Sequence, residues 1–379
     1  MKTLFLTLKT FSATGGIEKV CRILGKALYE DSIKNEGIVQ ICSMYDKQQD
    51  AFNNRYFPAE SFRGFGINKL RFIQEMVQAG SKSDVVILSH INLLLVGWFI
   101  KKISPCTKII LLAHGIEIWY PLNFRKRKMF RCCDKILAVS SFTQNKIMEV
   151  HGLAKEKCAV LNNCLDPFLP LPSLHKKNEA LLKKYGFTTT DTILMTLTRL
   201  SSKERYKGYN KVIEAIGNLQ MRYPHVKYLI AGSYDTREKV FLDTLINKLG
   251  IQNVIVMPGY IPDEDLEDHF AMSDIYVMPS RKEGFGIVFI EAMYYGLPVI
   301  AGNIDGSADA LLNGKLGQLV NPKNVQEITI AVANVLDNKT SFAPNRELLM
   351  KHFSYEAYKE KLQGLIGKYY PQRSNSSYH

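Results

Sequence analysis

Pro279-Ser280-Arg281-Lys282-Glu283-Gly284-Phe285-Gly286-Ile287-Val288-Phe289-Ile290-Glu291-Ala292-Met293, followed by Gly296-Leu297-Pro298, reads as a strand end, a glycine loop and a helix. The apolar run 275–278 enters it at strand length, and Gly296 with proline just beyond marks the helix end. Gly284 and Gly286 let a ligand approach the backbone. The N–H groups of the helix's first turn, with its dipole, attract phosphate. Glu283 falls in the loop and Glu291 on the helix. Carboxylates repel phosphate but accept hydrogen bonds from sugar and ribose hydroxyls, so their expected work is to orient the hydroxyl-bearing ends of a ligand around its diphosphate.

Outward from this stretch, short apolar runs recur in two series. Residues 3–8, 39–44, 85–88, 109–113 and 136–139 form the first; 193–197, 228–231, 254–257, 275–278 and 299–301 form the second. Helical patterns such as 209–221 and 237–249 lie between runs, and alternation of this kind predicts parallel sheets covered by helices on both faces. The apolar stretch 85–100, interrupted by Ser89, His90 and Asn92, is too short to span a bilayer and reads as a strand followed by a buried helix. Between the series, Asp166-Pro167-Phe168-Leu169-Pro170-Leu171-Pro172 can continue neither helix nor central strand and marks a linker. The expected fold is α/β, two doubly wound Rossmann-like domains facing each other across a cleft, with ligands at the carboxyl ends of the strands. The domains are expected at 1–168 and 169–353, with 354–379 a helix packing back toward the first domain and ending in a flexible tail.

Other residues sit where that architecture places ligands. The run 193–197 ends at Thr198-Arg199-Leu200, and Lys207-Gly208 opens the next helix; Arg199 as a planar fork and Lys207 as a point charge suit a diphosphate, although the insert 201–206 adds Lys203 and Arg205. Gly15-Gly16 follows the first run and opens a helix, His114 closes the run 109–113, and Gly259-Tyr260 follows the run 254–257. Asp263-Glu264-Asp265 has the form of a metal-diphosphate motif, but Pro262 before it and Leu266 after it make it an acidic helix start. No cluster of His and carboxylates suits a catalytic zinc, so no metal ligands are expected.

The two glutamates seven residues apart, with Gly-Phe-Gly between them and Gly-Leu-Pro-Val behind, resemble the signature of the family 4 retaining glycosyltransferases of the two-domain GT-B type. The resemblance runs from about residue 3 to 370 and is strongest over 193–320. It implies a hexosyl transfer from a nucleotide-diphosphate-sugar, a co-substrate rather than a cofactor, to a glycan or lipid-linked acceptor, in glycan, polysaccharide or glycolipid synthesis and without a metal ion. Carried over, Glu283 contacts the donor sugar and Glu291 the ribose. Arg199 and Lys207 hold the leaving diphosphate, and His114 reaches the transferred sugar. Gly15, Gly16, Gly284, Phe285, Gly286 and Ile287 line the donor, with Gly259 and Tyr260 near the base. The first domain takes the acceptor side and the second the nucleotide-sugar. Asn162-Asn163-Cys164-Leu165-Asp166 departs from the family's Asn-Gly-Val-Asp, and Asn303-Ile304-Asp305-Gly306-Ser307 is a second departure, expected to tune substrate choice. No residue stands out as a carboxylate nucleophile; the resemblance implies attack on the leaving-group face, with the departing phosphate helping to deprotonate the acceptor.

Bulk properties narrow the rest. Hydrophobic residues at 46% and charged residues at 22% in 379 residues exclude a disordered chain and allow two cores. Seven cysteines without metal or disulfide spacing, and no export signal, read as reduced thiols of a cytoplasmic protein. The net charge of +13 is uneven: residues 1–170 hold 24 Lys/Arg against 14 Asp/Glu, and residues 171–379 hold 25 against 22. Arg125, Lys126, Arg127, Lys128 and Arg131 stand beside Trp119, Tyr120, Phe124, Met129 and Phe130. Bases beside aromatics suit an anionic membrane surface, so peripheral attachment to its cytoplasmic face is expected. No nucleic-acid motif accompanies the charge. The rival readings are a nucleotide-sugar epimerase or phosphorylase of the same architecture, which free epimer without acceptor would reveal, and a non-catalytic scaffold, against which the intact charged set argues.

Overall fold

The computed structural model describes residues 1–172 and 177–369. Residues 370–379, the end of the segment 354–379 expected to finish in a flexible tail, lie outside them. The chain divides into two compact units, Met1–Pro167 with Tyr355–His379, and Phe168–Ser354.

The first unit holds seven parallel strands: β1 (Lys2–Thr7), β2 (Ile38–Ser43), β3 (Phe62–Gly64), β4 (Val85–Leu88), β5 (Lys108–Ala113), β6 (Lys135–Ala138) and β7 (Cys158–Val160). Their spatial order is β3-β2-β1-β4-β5-β6-β7. Strands buried on both faces read as continuous apolar runs, which is why β1, β4, β5 and β6 are visible in the sequence. One face packs Leu4, Leu6, Val86 and Leu111 against Phe72, Ile100 and Phe130. The other packs Phe5, Ile87 and Ile110 against Leu24 and Leu28 of the helix Gly16–Lys34. Tyr355, Tyr358, Leu362 and Ile366 of the helix Tyr355–Ile366 complete that second face. Glu30 anchors this helix by accepting from Tyr355 Oη and Lys359 Nζ, each at 2.9 Å.

The second unit holds six parallel strands: β8 (Thr192–Leu197), β9 (Val226–Ala231), β10 (Ile255–Gly259), β11 (Ile275–Met278), β12 (Val299–Gly302) and β13 (Gln318–Val320). Their order is β10-β9-β8-β11-β12-β13. The helix Tyr209–Leu219 lays Tyr209, Val212, Ile213 and Ile216 onto this sheet, and the helix Val325–Asp337 adds Ile328 and Val332. Both sheets are the expected doubly wound α/β kind. Three edge strands, β3, β7 and β13, are additions to the sequence reading; each has only three residues, too few to show a period.

Two expectations for the first unit need correcting. The helix Leu94–Ile103, read as buried, turns Leu95, Phe99 and Ile103 outward, with Ile103 64% exposed. Its sequence is apolar around nearly the whole circumference, so periodicity could not show which side faces out. Of the aromatics set beside the basic cluster, Trp119 and Phe130 are core residues, and Trp119 Nε1 donates to Thr143 Oγ1 at 3.2 Å. Tyr120 and Phe124 are exposed. Among the described residues no helix is long and apolar enough to cross a membrane.

Candidate functional site

In a doubly wound sheet the loops meet where strand order reverses. In the second unit that place is β8 beside β11, paired in register Ile275↔Leu194 and Tyr276↔Met195. Thr196 Oγ1 donates across it to the Val277 carbonyl. The loop after β8 and the loop after β11 are then joined by Arg281 N–H donating to the Tyr206 carbonyl at 2.8 Å. Gly208 makes this approach possible. Its φ is 85°, and a Cβ there would lie 2.2 Å from the Pro279 carbonyl oxygen, so no other residue fits without moving backbone.

The consequence is a paired charge at the switch point. Lys207, at the end of the β8 loop, forms an ion pair with Glu283 of the β11 loop, each side chain 17% exposed. Burial by itself lowers a lysine pKa, but the Glu283 carboxylate, by its charge and its hydrogen bond, outweighs this and holds the Lys207 ammonium above its ordinary value. Glu283 is fixed from the other side as well. Its N–H donates to Asp305 Oδ2 at 2.7 Å, and its carbonyl accepts from Gly306 N–H at 2.8 Å. Asp305 also accepts from Ser307 N–H at 2.9 Å and is almost fully buried; burial pushes its carboxyl up to about 6. Gly286, with φ of 83°, then turns the chain into the helix Ile287–Tyr294. Phe289 N–H donates to the Gly286 carbonyl at 3.0 Å, and the two amides before it, those of Ile287 and Val288, are the ones that suit an anion.

The remaining expected residues are distributed around this centre. Glu291 is buried on the helix Ile287–Tyr294. Arg199 follows β8, is 69% exposed at its side chain and reaches Glu204 Oε1 at 3.3 Å. Of the cations in the insert, Lys203 is exposed, whereas Arg205 is turned to the fully buried Glu238, with Nε at 2.7 Å. Gly284 and Ile287 are buried in the turn. Phe285 directs its ring into the core, edge-on to Phe353 at 5.5 Å, so only its backbone remains for a ligand. Gly259, with φ of 86°, ends β10, and Tyr260 beyond it is exposed. The acidic stretch Asp263–Asp265 is a single 3₁₀ turn entering the helix Leu266–Met272, in keeping with a helix start.

In the first unit the corresponding place is β1 beside β4. Gly15 and Gly16 end the β1 loop and begin the helix Gly16–Lys34. Sequence reasoning missed what holds this loop: fully buried Asp46, after the neighbouring strand β2, accepts from Thr10 N–H at 2.6 Å and Ser12 N–H at 2.9 Å. His114, at the end of β5, is half-buried; its Nε2 lies 2.8 Å from the Ser89 carbonyl and so carries the proton, while its N–H donates to Glu117 Oε1 at 2.6 Å. A lone aspartate in a loop gives no sequence pattern. Asp305 was visible only as a departure, without its role.

Residues 177–360 match the family described as Glycosyl transferases group 1, and residues 14–167 match Glycosyltransferase Family 4. The chain is 29% identical over 245 residues to a GDP-mannose-dependent alpha-(1-6)-phosphatidylinositol monomannoside mannosyltransferase of Mycolicibacterium smegmatis, covering 60% of this chain and 61% of that protein. It is 26% identical to mannosylfructose-phosphate synthase of Agrobacterium fabrum, covering 61% and 57%. The chain thus spans about three fifths of the length of the curated relatives it matches. Among solved structures, HepE of Anabaena in complex with UDP superposes with a TM-score of 0.79 at 19% identity, over 97% of this chain and 100% of the other. WaaG, a glycosyltransferase of lipopolysaccharide biosynthesis, superposes with a TM-score of 0.65 at 16% identity, over 96% and 99%. At these identities the superpositions establish the fold.

Proposed function

The chain belongs to the family 4 glycosyltransferases of GT-B architecture, and we propose that it moves a sugar from a nucleoside-diphosphate sugar to a hydroxyl of a glycan or lipid-linked acceptor, with retention of anomeric configuration and without a metal ion. One observation carries this reading: the Lys207–Glu283 pair set beside the Gly286 turn, at the carboxyl ends of β8 and β11. A ligand with a diphosphate and a hydroxyl-rich sugar matches both halves of that pair. The phosphate takes the ammonium, and the sugar hydroxyls donate to the carboxylate.

Transfer breaks the bond between the anomeric carbon and the diphosphate oxygen, and negative charge grows on the departing diphosphate. Lys207, Arg199 swinging from Glu204, and the amides around Gly286 are donors placed where that charge develops. The acceptor oxygen bonds to the anomeric carbon and gives up its proton. Glu283, locked by Asp305 and Gly306, fixes the sugar, and Glu291 serves the ribose. Cations and amides do the neutralising otherwise supplied by a divalent ion. Relatives named for GDP-mannose and phosphatidylinositol mannoside support a nucleotide-sugar donor and a lipid-linked acceptor.

The same reading assigns an anionic membrane surface to the first unit. The helix Phe124–Arg131 exposes Phe124, Arg125, Arg127, Lys128 and Arg131, and Lys126 Nζ reaches Asn92 Oδ1 at 3.2 Å beside the helix Leu94–Ile103, which exposes Leu95, Phe99 and Ile103. Apolar side chains next to bases fit a headgroup layer, and attachment to its cytoplasmic side would bring the chain to a lipid-linked acceptor.

The test is incubation with a panel of UDP-, GDP- and ADP-sugars and hydroxyl acceptors. Acceptor-dependent release of nucleoside diphosphate, undiminished by EDTA, with a product of the donor's anomeric configuration by proton coupling, is the expected result. An absolute requirement for a divalent ion, or an inverted product, would reject the corresponding part of the reading.

A further inference from the structure

On the second unit, Arg205, Asn210, Lys211, Phe241, Arg281 and Lys323 surround an open hollow of 390 Å³. Gly208, next to Lys207, also lines it, but none of the six side chains belongs to the donor set described above. We propose that this hollow is a second anion site, which binds a soluble phosphomonoester of small-metabolite size.

Four cations converge here from four separate segments: the loop after β8, the first turn of the helix Tyr209–Leu219, the loop after β11 and the loop after β13. Two carboxylates offset two of them. Glu238 accepts from Arg205 Nε at 2.7 and 3.0 Å, and Glu214 accepts from Lys211 Nζ at 2.9 and 3.1 Å. Arg281 and Lys323 have no ion pair or side-chain hydrogen bond among the described residues. The hollow therefore carries about two uncompensated positive charges, and like charges gathered around one concavity repel unless an anion joins them.

Geometry narrows the anion. Arg205 is held rigidly, its guanidinium 3.6 Å above the Phe241 ring and its Nε fixed by Glu238, so its outer edge stands ready as a fork for phosphate oxygens. Arg281 and Lys323 supply exposed cations at the rim. The Phe241 ring and Asn210 offer an apolar wall and an amide for the carbon and hydroxyl groups of the ester. The volume falls in the range of about 300–1,000 Å³ usual for small-molecule sites, which is more than a bare phosphate fills.

The experiment is a calorimetric titration of the full chain with sn-glycerol 3-phosphate at fixed ionic strength. Wild type should bind it, Arg281→Ser/Lys323→Ser should bind about tenfold or more weakly, and Lys207→Ala should match wild type. Both substituted rim residues are exposed, so the double variant should fold, which an unchanged melting temperature would verify. Equal affinity in wild type and the double variant, no binding by wild type, or loss of binding in Lys207→Ala would each overturn the proposal, the last by placing the phosphate in the donor site. Vesicles containing phosphatidate form a second arm. Capture on them that depends on Arg281 and Lys323, without binding of the soluble ester, would also overturn it by assigning the site to a lipid headgroup. Because binding is read directly, a failed transfer assay leaves this result standing, and the reverse also holds.

Discussion

The β1/β4 and β8/β11 switch points have the same architecture and opposite furnishing. At β8/β11 an ammonium and a carboxylate face each other across two loops, next to a left-handed glycine that opens a helix. At β1/β4 the polar groups are directed at the protein's own backbone: Asp46 at the amides of the β1 loop, His114 at the Ser89 carbonyl. The first arrangement can exchange its internal partners for those of a ligand, whereas Asp46 is committed to the β1 loop and fixes its shape. Strand order decides where a ligand can bind, and the residues placed there decide whether charge is available to it.

The sharpest way to break that comparison is Lys207→Ala. Loss of a preorganised donor to the leaving group should lower turnover about 100–1000-fold, measured under conditions where the variant is folded. Near-normal turnover of the folded variant would remove the β8/β11 pair from the chemistry. The counterpart in the first unit is Asp46→Ala, which leaves the buried Thr10 amide and the part-buried Ser12 amide without their acceptor and should cost about 2 kcal/mol of stability, read by urea unfolding. An unchanged unfolding midpoint would mean that the β1 loop is held by something else.

Asp305 sharpens the comparison through pH. Its carboxyl is raised from 3.8 to about 6 by burial, so the folded chain holds that proton more tightly than the unfolded one. The resulting stabilisation is complete below about pH 4 and is lost as pH rises through about 6, an effect on the order of 2–3 kcal/mol. Asp305→Asn cannot ionise, so its stability relative to wild type should rise between pH 4 and pH 7; a difference independent of pH would contradict the assignment. Turnover of wild type should move the other way and fall as pH drops through about 6, because the ionised form is the stronger acceptor for the Glu283 amide.

The smallest effects per residue belong to the exposed basic helix. Replacing Arg125, Lys126, Arg127 and Lys128 by Ser should weaken co-sedimentation with anionic vesicles at low salt, each cation contributing about 1 kcal/mol. Phe99→Ser should weaken it further at high salt, where charge is screened. Equal pelleting of wild type and both variants would dismiss the membrane face.

How much of this was legible in the sequence depended on the length and repetition of each signal. Strands such as β4 and β5 announce themselves as apolar runs, and the Glu283–Glu291 spacing with its glycines points to the loop that the structure sets at the β8/β11 switch point. Three-residue edge strands leave no such trace. Asp46 and Asp305 act through hydrogen bonds between residues 22 to 36 positions apart, and single residues at those distances form no pattern. The outward side of Leu94–Ile103 was hidden for the opposite reason, since an apolar residue occupies nearly every position and composition cannot separate a core face from an exposed one. Tyr120 and Phe124 sit outside while Trp119 and Phe130 sit inside, although all four lie within one short segment.

The helix Tyr355–Ile366 completes the core of the first unit although the whole second unit precedes it in the chain. In the order of synthesis, the first unit must wait with the surface around Val20, Ile23 and Cys164 uncovered until this helix leaves the ribosome. The second unit, built from one uninterrupted stretch, can fold during that interval. A nascent chain halted near residue 354 would therefore present one finished unit and one with an open apolar face, a natural target for a chaperone until Tyr358 and Leu362 arrive to close it.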